Sequence, residues 1–145
     1  MSSFEKLLKS YQERINRVLE NILPRDDSIL SSAMRYSVLN GGKRLRPILI
    51  YLVGELSDKD SNNLDILAGA IELVHCYSLI HDDLPSMDDD ELRRGNPTTH
   101  KKFDEATAIL AGDALQPLAF ELISTINTSA DNKIKMIKSL SKACG

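Results

Sequence analysis

The stretch LDILAGAIELVHCYSLIHDDLPSMDDDELRRG, residues 64–95, decides the fold. Leu64 to Asp83 is apolar on most sides of a helical projection, as expected of a central, buried helix. Then the character inverts. Six carboxylates fall within the ten positions Asp82 to Glu91, and Arg93 and Arg94 come directly after. A buried helix does not casually finish in paired acids. Its C-terminus also carries partial negative charge, which disfavours Asp82 and Asp83 at that place. A short turn bearing Pro85 separates them from Asp88, Asp89 and Asp90 and can fold the second group back on the first. Such a cluster is costly alone, and a bound multivalent cation reverses the sign of the interaction.

The helical period continues on both sides. Phe4, Leu7, Leu8, Tyr11, Ile15, Val18, Leu19 and Ile22 recur at helical steps, giving an amphipathic first helix that Pro24 ends. A second helix is expected from Ser28 to Leu39, with Gly41-Gly42 as its stop. Pro47 opens a third through Leu56, and SDKDSNN, residues 57–63, is a polar connector. Beyond the acidic loop, Gly95-Asn96-Pro97 signals a turn. A helix from Phe103 to Ile126 follows, with Pro117 expected to kink or break it. Asn127 to Ala130 reads as a turn, and Asp131 is a good N-cap for a last helix. With no strand signal of any length, the expected architecture is an all-α, antiparallel helical bundle.

A chain of 145 residues with 42% apolar content builds one modest globular domain. A net charge of −3 gives no basic footprint for nucleic acid. No apolar run approaches the roughly 18 residues of a membrane span. The N-terminus, MSSFEKLLKSYQER, has no signal-peptide core. Cys76 and Cys144 have no metal-type spacing and read as reduced structural thiols, which fits the cytoplasm.

The acidic loop offers oxygen ligands only, with no imidazole or thiol in the run Asp82 to Glu91, which favours a hard cation. The calcium-loop pattern needs acids at alternate positions and a glycine at the sixth, and this run has neither. Mg²⁺ typically takes one or two carboxylates and completes its shell with water and substrate phosphate. Arg93 and Arg94 match that arrangement, because guanidinium binds phosphate oxygens in pairs. GGKRLRP, residues 41–47, adds Lys43, Arg44 and Arg46 after a glycine pair, the make-up of an anion site. His75 and Asp82 lie seven apart on one helix face, with Ser78 between them, whereas His81 lies off that face and reads as structural. Neither a nucleophile–base pair nor a nucleotide-type phosphate loop is present. The pattern points to an apolar substrate carrying a phosphate handle.

GGKRLRP, HCYSLIHDDLPSMDDDELRRGNPTTHKKF and EATAILAGDAL together resemble the short-chain trans-prenyl diphosphate synthases, in particular the bacterial-type farnesyl diphosphate (geranyltranstransferase) branch. The likeness runs from about Ser31 onward. It implies an isoprenoid synthase bundle, of which residues 1–145 form the N-terminal portion of a single domain. It implies Mg²⁺ on Asp82 and Asp88, with Asp83 supporting, and Arg93 on an allylic diphosphate (dimethylallyl or geranyl). Arg94 would join Lys43, Arg46 and His75 around isopentenyl diphosphate. The implied reaction is ionisation of the allylic ester followed by condensation and proton loss, in a homodimer at full length. Tyr77, with Ser78 beside it, would line the floor of the pocket that receives the growing tail. A bulky ring there favours the fifteen-carbon product over a geranylgeranyl one.

Some residues depart from the family pattern. Asp104 stands where relatives usually have glycine, and Pro117 where they continue an unbroken helix. A G-G-Q motif, a Lys-Thr pair and a second aspartate-rich motif belong to the second half of full-length relatives, and Asp26-Asp27 does not match the last of these. The chain therefore reads as an N-terminal half that leaves apolar helix faces exposed and turns over little alone. A non-catalytic subunit is the competing reading, though the retained aspartates and arginines count against it. A terpene cyclase needs no isopentenyl site, so GGKRLRP and His75 argue against that.

Overall fold

The structure, a computed structural model, describes residues 2–57 and 60–145. Among these run α1 (Ser3–Ile22), α2 (Ile29–Leu39), α3 (Leu45–Leu56), α4 (Ser61–Asp82), α5 (Thr99–Lys102), α6 (Glu105–Thr125) and α7 (Ala130–Cys144). A two-residue antiparallel ribbon, β1 (Leu92–Arg93) with β2 (Asn96–Pro97), lies between α4 and α5. The all-α expectation holds, and that short ribbon is too brief to leave a period in the sequence.

Local chemistry sets the boundaries. Ser2 caps α1 in a reciprocal box with Glu5, satisfying two amide donors that helix geometry leaves unpaired. Ser28 caps α2 through the Ser31 amide. The helix α3 begins two residues before Pro47, which then occupies its first turn, where a missing N–H costs nothing. Of the connector at 57–63, residues 58 and 59 lie outside the described residues, and Ser61 to Asn63 already belong to α4. The segment after the ribbon forms two helices rather than one. Phe103 and Asp104 separate α5 from α6, and Asp104 caps α6 by accepting from the Thr107 amide at 2.8 Å and its hydroxyl at 2.7 Å. Aspartate at the position of the usual glycine thus supplies the cap itself. Pro117 does not break α6, which runs on to Thr125. The N-cap of α7 is Ser129 rather than Asp131, which sits in the first turn.

The most extensive packing joins α4 to α6. Buried Ala68, Ala70, Leu73, Cys76 and Ile80 on α4, and Ala108, Ala111, Leu115, Ala119 and Ile123 on α6, belong to one core. Small residues let the two backbones approach closely. His81 at the end of α4 packs on Gly112 near the start of α6, and its Nε2 lies 3.2 Å from the Ile109 carbonyl. At the other end, Asn63 exchanges two hydrogen bonds with the Asn127 backbone at 3.0 and 2.8 Å. Contacts at opposite ends make the pair antiparallel, and the first confirms His81 as a packing residue.

Both helices are long and apolar enough to cross a membrane by length and composition, with mean hydropathy 1.3 in each. This corrects the sequence expectation that no apolar stretch approaches that length, which rested on the scattered charges within α4 and α6. In this fold α1 and α3 cover α4, while α2 and α7 pack against α6.

Candidate active site

The site lies at the C-terminal end of α4. Asp82 is the last residue of that helix, and Asp83 is its C-cap. The chain then turns back on itself. The Met87 and Asp89 amides donate to the Leu84 carbonyl at 2.9 and 3.1 Å, and the Asp88 amide donates to the Asp82 carbonyl at 2.9 Å. The fold-back expected from Pro85 is therefore made by backbone bonds, and it brings Asp88 beside Asp82.

Asp83 is different. It is buried, and the Arg93 Nε donates to its two carboxylate oxygens at 2.9 and 2.8 Å. Asp90 adds a longer contact to the same guanidinium, 3.7 Å. The Asp83 hydrogen bonds raise the already high Arg93 pKa, with burial opposing them. Arg93 is thus held against the acidic loop. Arg94 goes the other way. It and Gly95 both have positive φ, 54° and 81°, the conformation of a two-residue hairpin turn that twists with its strands. Its guanidinium bonds the Gly41 carbonyl across the gap. Gly42 has φ +126°, which strains any residue with a Cβ, and a side chain there would displace the Arg94 guanidinium.

This contact closes the second feature, a cavity of about 550 Å³ lined by Gly41, Gly42, Lys43, Arg46, His75 and Arg94, with Arg44 and Glu72 at its base. The resemblance implied Lys43, Arg46, His75 and Arg94 around one anion, and these four line one cavity. His75 is half-buried. Burial first, and then the Arg46 charge, hold its imidazole below its ordinary pKa, with Glu72 opposing. The three cationic side chains and this imidazole are suited to an anion of several charges.

One expected member does not belong. Arg44 points inward, 3% exposed, and pairs with the 2% exposed Glu72 at 2.8 Å. It is an anchor rather than a fourth cation facing the anion. A glutamate inside an apolar helix almost never stays buried unpaired, so Glu72 in AIELVHCY carried the signal that an arginine must reach it.

A third feature adjoins the second. Ile71, Val74, Tyr77, Ser78, Leu140 and Ala143 line a groove of about 490 Å³, and Arg46 and His75 line it too. Arg46 and His75 thus line both the cationic cavity and this mostly apolar groove. The Tyr77 ring stacks edge-on against His81 with centroids 4.9 Å apart, which fixes its orientation at the groove wall.

The residues of the acidic loop suit a hard cation. Asp82 and Asp88 make no ion pair among the described residues, whereas Asp83 and Asp90 are engaged by Arg93. Among the described residues no three carboxylate, imidazole or thiol groups converge on one point. Two unpaired carboxylates joined by a backbone bond are the donor set Mg²⁺ accepts when water and phosphate complete its shell.

Residues 27–145 match the polyprenyl synthetase family. The chain is 50% identical to the farnesyl diphosphate synthase of Haemophilus influenzae, a match covering all of this chain and 50% of that protein. To the farnesyl diphosphate synthase of Escherichia coli it is 47% identical, covering 98% of this chain and 50% of the relative. The crystal structure of a geranyltransferase from Legionella pneumophila superposes with a TM-score of 0.92 at 46% identity, over 97% of this chain and 52% of that one. The chain spans about half the length of the relatives it matches.

Proposed function

The chain belongs to the polyprenyl synthetase family, and from that premise we propose that it forms the substrate-gathering part of a Mg²⁺-dependent prenyltransferase making farnesyl diphosphate. The observation that carries this reading is that Arg46 and His75 line both a cationic cavity and a mostly apolar groove beside it. An isoprenoid diphosphate has that shape and polarity, a polyanionic head on a hydrocarbon tail. Lys43, Arg46, His75 and Arg94 bind isopentenyl diphosphate. Asp82 and Asp88 hold the metal of the allylic diphosphate, and Arg93, released in part from Asp83, meets its phosphate oxygens.

The difficult step is separation of a diphosphate anion from an allylic cation. Cationic side chains aimed at the departing group stabilise charge where it develops. Asp82 and Asp88 would hold a Mg²⁺ ion, which when bound would supply neutralising charge to that leaving group. The apolar wall of Val74, Ile71 and Leu140 keeps water from the carbocation. The isopentenyl double bond attacks this cation, and the product loses a proton, with the released pyrophosphate as base. Tyr77 and Ser78 on the groove wall set the length of tail that fits.

Product analysis with the complete protein tests the reading. Dimethylallyl and isopentenyl diphosphates with Mg²⁺ should give the fifteen-carbon product, and Tyr77→Ala should shift it to longer chains. An unchanged product spectrum would contradict the role of Tyr77, and absence of condensation would contradict the function.

A further inference from the structure

The Arg44–Glu72 pair lies directly under the cationic cavity, and its geometry exceeds what a simple stabilising contact needs. All three nitrogens of the Arg44 guanidinium are used. Nη1 donates to Glu72 on α4 at 2.8 Å, Nη2 to the Val38 carbonyl in the last turn of α2 at 2.7 Å, and Nε to Asn16 on α1 at 3.0 Å. One side chain thus ties the α2–α3 loop to three helices. Arg44 reaches this position with φ +53°, a left-handed conformation unfavourable for a residue with a Cβ. The Arg44 carbonyl meanwhile accepts from the Ile48 amide at 3.1 Å and starts α3, and Gln12 holds the Lys43 carbonyl at 3.1 Å. Glu72 stands one helical turn before His75 on α4.

We infer that the buried Arg44–Glu72 pair is the positioning device of the diphosphate cavity: it pins the GGKRLRP loop to α4, so that Lys43 and Arg46 face His75. With the Arg44 side chain turned inward, its exposed neighbours Lys43 and Arg46 are left at the cavity rim. Both act on the anion, and Arg44 acts through them. Buried ion pairs are weak devices for stability, because desolvation offsets much of their attraction. Fixing a loop before a ligand arrives lowers the ordering cost of binding instead. The inference rests on the diphosphate reading of that cavity.

Two variants test it on the chain, with inorganic pyrophosphate as the probe in calorimetric titrations. Glu72→Gln keeps the shape and one acceptor. The double variant Arg44→Met with Glu72→Leu replaces the pair by apolar side chains of similar volume, a change that often preserves folding. Helical circular dichroism at the titration temperature reports the fold. Metal-free pyrophosphate affinity should fall about ten-fold or more in the double variant and less in Glu72→Gln. The gain in affinity conferred by Mg²⁺, which reads the Asp82–Asp88 loop, should stay within about two-fold. Unchanged metal-free affinity in a folded double variant would overturn the inference, as would equal loss at both sites. Should only one variant fold, that one decides. Loss of the fold in both would make the pair a structural tie and overturn positioning. If the unsubstituted chain bound no pyrophosphate, the diphosphate reading itself would fail, which is a separate result.

Discussion

Arg93 and Arg94 are adjacent and identical in chemistry, yet they serve opposite sides of the site. The left-handed turn at Arg94-Gly95 separates them, sending Arg93 to Asp83 and Arg94 to the Gly41 carbonyl. The family resemblance assigned them to two different diphosphates, but the backbone that parts them left no signal in composition, because it is a two-residue turn with arginine in place of the usual asparagine. Arg44 was misread for a related reason. Three cations in a row look alike until one is found to pair with a buried carboxylate. His75 carries a prediction at this scale. Its imidazole titrates below 6.5 because burial and Arg46 disfavour the charged form. The stability linked to that shift is therefore complete above 6.5 and is lost as pH falls through the depressed folded value. A bound diphosphate reverses the field and favours protonation, so binding should take up a proton. Pyrophosphate affinity should rise as pH falls through about 6.5, by more in the chain than in His75→Gln, where the ionisation of pyrophosphate itself is the same. Parallel pH profiles for the two proteins would contradict this.

At the scale of elements, helices announced themselves by period and by caps. α2 begins and ends where Ser28 and the glycine pair put its ends, and α1 stops at Ile22, just before Pro24. The boundaries that shifted did so where two candidate caps competed, as with Ser129 and Asp131, or where a cap came from an unexpected residue, as with Asp104. Pro117 is the clearest mismatch between local preference and observed structure. It sits on the exposed side of α6 while Leu115 and Ala119 on either side are buried against the core. Tertiary packing of that stripe overrides the lost hydrogen bond. Pro117→Ala restores an amide donor and removes the ring clash, and should raise stability by about 1 to 3 kcal/mol in denaturant unfolding. A loss of stability would mean that the proline is favoured by its surroundings.

For the whole molecule, the expectation of exposed apolar faces is met. On α3 Leu45, Leu49, Val53 and Leu56 form a stripe at helical spacing, with Leu49 60% and Val53 62% exposed. Beside it Ile50, Gly54, Leu64 and Leu67 help line an apolar groove of about 430 Å³. Lysine at 49 or 53 should therefore change the stability of this chain by less than about 0.5 kcal/mol and reduce self-association, as read by denaturant unfolding and sedimentation. A larger loss would show that the face is covered. The central claim concerns the C-terminal end of α4, where Asp82 and the turn that follows bring Asp88 beside it. Calorimetric titration of the chain with dimethylallyl diphosphate, with and without Mg²⁺, tests it most directly. The account predicts that Mg²⁺ strengthens binding and that Asp82→Ala combined with Asp88→Ala returns affinity to the metal-free level. Binding indifferent to Mg²⁺, or a Mg²⁺ effect that survives both substitutions, would contradict it.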